Sequence, residues 1–124
     1  MDDLIIEKTK FTLAVCFSAS TGVLEMEGSS YPEHAFEFFT PIFEWLQRYV
    51  EQGPRPVQLT VLFDYLNTSS LKCIIDLFKL LESHAQNGAE VAIHWRYQID
   101  DEDMLEAGRE FAEDIQIPIH FHPV

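Results

Sequence analysis

Apolar and polar residues alternate along five stretches of this chain and recur at helical spacing along three others. In Phe11–Ser18, FTLAVCFS, the side chains of Phe11, Leu13, Val15 and Phe17 fall on one face, the two-residue period of a half-buried strand. Thr21–Gly22 is a turn signal. VLEMEG, Val23–Gly28, then alternates again, with Leu24 and Met26 opposite Glu25 and Glu27. Two alternating runs about a short turn predict a hairpin. In Pro56–Leu66, PVQLTVLFDYL, one face carries Val57, Leu59, Val61, Phe63 and Tyr65 and the other Gln58, Thr60 and Asp64. Glu90–Gln98 points Val91, Ile93, Trp95 and Tyr97 inward and His94 and Arg96 outward. The closing IPIHFHPV sets Ile117, Ile119 and Phe121 against His120 and His122.

Between these runs the period lengthens. After Ser29, Ser30 and Pro32, which are helix-start signals, an apolar stripe of Phe36, Phe39, Phe43, Leu46 and Val50 runs to a stop at Gly53–Pro54. Pro41 lies inside this stretch. It lacks an N–H and crowds the preceding turn, so a kink or a two-piece helix is expected there. Phe38 falls off the stripe, which leaves it either repacked behind the kink or part of an apolar docking patch. A second helix is predicted over Ser69–Gln86, apolar at Leu71, Ile74, Ile75, Phe78 and Leu81, and closed by Asn87–Gly88. A third follows over Asp100–Ile115. Its acidic first turn suits the positive end of the helix dipole, and Met104, Leu105, Phe111, Ala112 and Ile115 face inward.

The predicted order is β-β-α-β-α-β-α-β, an α/β fold with a mixed, largely parallel sheet. A sheet covered on both faces would have continuously apolar strands. These alternate, so the helices are expected mainly on one face, with the other meeting solvent. That is not the pattern of a doubly wound nucleotide-binding fold.

With 124 residues, the chain reads as one domain, 1–124, long enough to bury a core without staples. Its charge narrows the partners: 8 Lys and Arg stand against 21 Asp and Glu, a net −13. Phosphate-backbone and anionic-membrane binding need a basic patch, so neither nucleic acid nor a membrane surface is an expected partner. MDDLIIEKTK does not read as a signal peptide, and no run approaches the roughly 20 apolar residues of a membrane span. Cys16 and Cys73 fit no metal or redox spacing and read as reduced, structural thiols in a cytoplasmic protein.

Catalytic signatures are missing. There is no glycine-rich phosphate loop, no G-x-S-x-G and no Cys, His and acid at nucleophile-like spacing. Asp100–Asp103 lacks the glycine and ligand spacing of a calcium loop and reads as a solvated helix start. No enzyme activity and no cofactor are expected. His94, His120 and His122 share the predicted open sheet face and suit zinc by ligand type. However, no second-shell partner is visible for them, so no tightly bound metal is expected.

One stretch stands apart. In DYLNTSSLKCII, Asp64–Ile75, the tetrad Asn67-Thr68-Ser69-Ser70 sits where a strand ends and a helix begins. Asn, Ser and Thr are preferred helix caps because a side-chain oxygen accepts a free backbone N–H of the first turn. One cap needs one such residue, and here are four. Ligand and modification sites also concentrate at the C-terminal ends of strands in α/β sheets, and a helix start accepts phosphate through its free N–H groups. Spacing alone leaves both readings open.

Strand, then polar-hydroxyl-hydroxyl-small-Leu, then apolar helix is similar to the phosphoacceptor pattern of the anti-anti-sigma (STAS-like) domains, D-S-S-G-L. NTSSL matches it with Asn67 in place of the acid, Thr68 as acceptor, Ser69 as second serine, Ser70 in place of glycine, and Leu71. The chain resembles more closely the SiaC-like bacterial regulatory phosphoproteins, over nearly its whole length. The matching pieces are MEGSSYPEHAFEFF, FDYLNTSSLKCIIDLFKLLE and VAIHWRYQIDDEDM. The resemblance implies a STAS-like fold and a switch, not an enzyme. Thr68 inherits the acceptor role, with Ser69 and Ser70 as secondary candidates and Asp64, Tyr65 and Asn67 flanking. The implied partners are a Ser/Thr kinase of histidine-kinase-like fold, a PP2C-type phosphatase, and a diguanylate cyclase. The unphosphorylated form would bind and activate the cyclase, raising cyclic di-GMP and promoting aggregation or biofilm. The departures at Asn67 and Ser70 favour a cyclase pathway over a sigma-factor pathway. The alternative reading is a small-molecule or metal-binding domain using His94, Arg96, His120 and His122 on the open sheet face.

Overall fold

The first hairpin turns at Gly22, whose φ of 74° lies in the left-handed region. A methyl group on Gly22 would lie 2.1 Å from the Pro56 carbonyl oxygen, so glycine serves both the turn and the approach of the next strand. In the computed structural model, which describes residues 1–124, the elements run β1 (Leu4–Ile6), β2 (Ala14–Phe17), β3 (Val23–Ser30), α1 (Ala35–Glu51), β4 (Val57–Leu66), α2 (Thr68–Gln86), β5 (Val91–Tyr97), α3 (Glu102–Asp114) and β6 (Ile119–Pro123). The six strands form one sheet in sequence order, β1-β2-β3-β4-β5-β6. The first two pairings are antiparallel and the last three parallel. No helix is long and apolar enough to cross a membrane.

The sequential order decides where the helices go. Right-handed crossovers that always step the same way along a sheet stack every helix on the same side. The buried set agrees: Val15, Phe17, Leu24, Met26, Leu59, Val61, Ile93 and Trp95 meet the helices. The alternate residues Cys16, Glu25, Glu27, Gln58, His120 and His122 are exposed on the far side, with His94 and Arg96 partly so. The expected half-open sheet is therefore present.

Trp95 anchors the core. It is fully buried, packs edge-to-face on Phe63, Phe78 and Phe111 at centroid distances of 5.5, 6.3 and 5.4 Å, and donates its indole N–H to the Met104 carbonyl at 3.1 Å. Gly108 lets α3 come this close, since a methyl group there would lie 2.6 Å from the indole nitrogen.

Several expectations need correction. The sheet has a sixth strand, β1, too short at three residues to show a period. It is held where the Trp45 indole donates to the Asp2 carbonyl at 2.8 Å and the Ala19 N–H donates to the Asp3 carboxylate at 2.8 Å. β2 begins at Ala14, and Phe11 lies outside it, half exposed. α1 runs through Pro41 as one element, so it is not two pieces. Its buried face is Ala35, Phe39, Ile42, Trp45, Leu46 and Tyr49, while Phe36 is 74% exposed. Phe38 is half-buried and packs edge-on against Phe39. Cys16 is exposed on the open face, and only Cys73 is a buried thiol. Tyr65 points outward at 53% exposure while Leu66 turns in. The cause is a register shift in the β3–β4 ladder: Gly28 pairs with Phe63 but Ser29 with Tyr65, leaving Asp64 unpaired. One extra residue in a strand inverts the alternation beyond it.

Candidate functional site

The β4 bulge delivers the chain to the start of α2 in a defined way. The Asn67 N–H donates to the Ser30 carbonyl at 2.9 Å, tying it to the end of β3. Asn67 is the cap: its side-chain oxygen accepts the Ser70 N–H at 2.9 Å, and its own carbonyl accepts the Leu71 N–H at 2.9 Å. The four polar residues therefore divide their tasks. Asn67 caps. Ser70 is fully buried, and its hydroxyl bonds that of Ser30 at 2.7 Å, locking α2 to β3. Thr68 and Ser69 occupy the first helical turn, are exposed, and do no capping. α2 starts one residue earlier than expected, at Thr68.

This arrangement leaves an exposed hydroxyl at the positive end of a 19-residue helix with no acidic side chain in its first turn. An anion on Thr68 would be received by the helix start. Lys72, exposed four residues on, is a neighbour on the same helical stripe.

Near Thr68 the inverted strand end displays Tyr65. It packs edge-on against Tyr31 at 5.7 Å, and Tyr31 does the same with Phe11 at 5.2 Å. Phe11 and Tyr65 are each about half exposed, so an aromatic ladder lines this end of the sheet. Next to it Thr9, Phe11, Thr12, Tyr31, Pro32 and Glu33 line a cleft of about 520 Å³. Of the sequence-level flanking set, Asp64 and Tyr65 lie exposed at the bulge and Asn67 is structural. Phe11 and Tyr31 escaped sequence reasoning, because the alternation placed Phe11 in the core and Tyr31 in a helix lead-in.

The buried Ser30–Ser70 bond yields a first prediction. Ser70→Ala strands the Ser30 hydroxyl without a partner and is expected to cost about 1–3 kcal/mol. The check is a lower urea midpoint with an unchanged slope, partly recovered in the Ser30→Ala/Ser70→Ala double variant, which leaves no orphan.

The histidines gather elsewhere, on the open face at β5 and β6. His94 pairs with His120 and Arg96 with His122 in register. The His94 ring stands 5.3 Å from that of His120 and 5.2 Å from that of His122. No three His, Cys, Asp or Glu side chains stand ready as a metal site.

Comparison with known proteins adds to this geometry. Residues 6–124 match the model of a family described as SiaC family regulatory phosphoprotein. An uncharacterised protein of Pseudomonas aeruginosa (strain UCBPP-PA14) is 39% identical over 118 residues, 95% of this chain and 94% of the relative. Among solved structures, apo-SiaC from Pseudomonas aeruginosa superposes with a TM-score of 0.92 at 38% identity, covering 98% of this chain and 99% of that one. The SiaC chain in the crystal structure of the diguanylate cyclase SiaD with its activator SiaC, from the same organism, gives a TM-score of 0.94 at 37% identity. It covers 98% of this chain and 100% of that one.

Proposed function

We propose that this chain, which belongs to the SiaC family of regulatory phosphoproteins, is a phosphorylation-switched adaptor that binds and activates a diguanylate cyclase. Its 124 residues act as a single STAS-like regulatory domain in the cytoplasm. The unphosphorylated form engages the cyclase and raises cyclic di-GMP, with aggregation or biofilm as the outcome. A Ser/Thr kinase of histidine-kinase-like fold transfers the terminal phosphoryl group of ATP to the Thr68 hydroxyl, releasing the cyclase. A PP2C-type phosphatase hydrolyses the ester and restores the active form. The chain itself carries out no chemistry.

The observation that carries this reading is the full-length match to the activator in the cyclase complex. The local geometry supports the switch. Phosphorylation adds about −1.5 to −2 charges at neutral pH, and at Thr68 they would fall on a helix start that tolerates them, so the fold survives. A partner seated on the aromatic ladder and the exposed start of α2 would meet new bulk and charge. The net −13 of the chain suits a partner with a positive docking surface.

The test is reconstitution. The purified, unphosphorylated chain is added to a diguanylate cyclase of the SiaD type, and cyclic di-GMP formation from GTP is followed. A rise in rate together with a co-eluting complex is expected. An unchanged rate with no complex refutes the reading.

A further inference from the structure

The open face of the sheet, away from α2 and Thr68, carries a second set of groups with a chemistry of its own. His94 Nε2 lies 2.8 Å from the Gln58 side-chain oxygen, and His94 Nδ1 lies 3.0 Å from His122 Nε2. In the tautomer that matches this amide orientation, His94 carries its proton on Nε2 and presents a lone pair at Nδ1. His122 Nε2–H then donates to that lone pair. Two ring nitrogens are thus held face to face with one proton between them. Replacing that proton by a metal ion gives a two-imidazole chelate in which Gln58 is the outer partner. An outer acceptor on the far ring nitrogen is what orients metal-bound histidines generally. It is also what the sequence alone did not reveal.

We propose that His94 Nδ1 and His122 Nε2 bind a borderline divalent cation of the zinc class on this face, reversibly, with water completing the shell. The ligand type selects the ion. Imidazole nitrogens suit Zn²⁺ and Cu²⁺, whereas Mg²⁺ and Ca²⁺ require oxygens. The nearest carboxylate along the register is Glu25, which pairs with Thr60 on β4, itself the partner of His94. Two strand spacings place it about 10 Å away, too far to ligate. His120 is stacked on His94 at an interplanar angle of 26°.

The groups facing His94 are Gln58 and Thr60 from β4, Arg96 on its own strand, and His120 and His122 from β6. None is an anion. Burial, then His122 and His120, lower the pKa of the His94 imidazole. Arg96, across from His122, opposes a bound cation and keeps the ion exchangeable. Ligating imidazoles must be unprotonated, so affinity falls as the pH drops through the histidine range.

The full chain, stripped with chelator, is titrated with ZnCl₂ in a calorimeter. One Zn²⁺ per chain is expected, with no heat from MgCl₂. His94→Ala and His122→Ala lie on the exposed face and leave the fold intact, and each should lower the affinity at least tenfold. Gln58→Leu should weaken it about 10- to 100-fold at unchanged stoichiometry, the scale for losing an outer-shell partner. His34→Ala, remote from the cluster, should change nothing. Nitrogen chemical shifts of the rings give an independent reading, with Zn²⁺ moving His94 Nδ1 and not His94 Nε2. Absence of Zn²⁺ binding, or binding that survives His94→Ala undiminished, overturns the site.

Discussion

Thr68→Ala is expected to remove all phosphorylation by the cognate kinase while leaving cyclase activation and stability close to those of the parent chain. Thr68 is not the cap of α2, since that role belongs to Asn67. The substitution therefore deletes no capping bond, and replacing a β-branched residue by alanine is mildly favourable in a helix. The stability change should stay within about 0.5 kcal/mol. Asn67→Ala, by contrast, should cost about 1 kcal/mol, which separates loss of the cap from loss of the acceptor. The phosphorylated chain should bind the cyclase on the order of a hundredfold more weakly, about 3 kcal/mol, with an unshifted unfolding midpoint. Thr68→Asp should fall between the two states, because a carboxylate carries one charge and little bulk. Mass spectrometry of kinase-treated protein decides the acceptor. Phosphate confined to Ser69 or another residue would remove Thr68 from the switch. Ser70 is a poor acceptor in the folded chain, since its hydroxyl is fully buried against Ser30.

The second large effect is on stability. Trp95→Ala should cost about 3–5 kcal/mol, a large part of the roughly 5–15 kcal/mol that holds a domain of this size. The indole fills the space between β4, α2 and α3, touching Phe63, Phe78 and Phe111 at once. Its removal also deletes the indole N–H bond to the Met104 carbonyl. Trp95→Phe keeps most of the contact area and should cost less than half as much. Urea unfolding of the three chains measures this directly. If Trp95→Ala unfolds at the parent's urea concentration, the Trp95 cluster is not the centre of the core.

Much of this was legible in the residues. Long alternating runs such as Val57–Phe63 and Val91–Tyr97 carry their own strand assignment and inner face, because burial on one side enforces a two-residue period. The same alternation implied one covered face, and the three histidines emerged on the open one as expected. What escaped notice has physical causes. β1 is too short to display a period and is held by contacts from Trp45 and Ala19, more than ten residues away. The bulge at Asp64 cannot be read locally, since it exists only in the pairing with β3. Tyr65 was consequently assigned to the wrong face, and the aromatic ladder it forms with Tyr31 and Phe11 went unseen. On α1 a stripe through Phe36 and Phe43 competed with one through Ile42, Trp45 and Tyr49. Hydrophobicity alone does not choose between adjacent helical stripes when both are aromatic. NTSS allowed both a cap and an acceptor reading, and the structure gives the cap to Asn67 while leaving Thr68 exposed.

The strand order has a further consequence, for how the molecule is made. Because spatial order follows chain order, each strand leaving the ribosome finds its pairing neighbour already synthesised, and no segment waits for a distant one. Every pairing closes a loop no longer than one intervening helix and its connections, which limits the entropy lost before contacts form. The sheet can therefore grow from the N-terminal hairpin outward, one edge at a time, with β6 added last. Assembly of this kind adds strands at one edge only, and in this sheet that edge is the five-residue β6, whose last residue, Pro123, has no N–H to offer another strand.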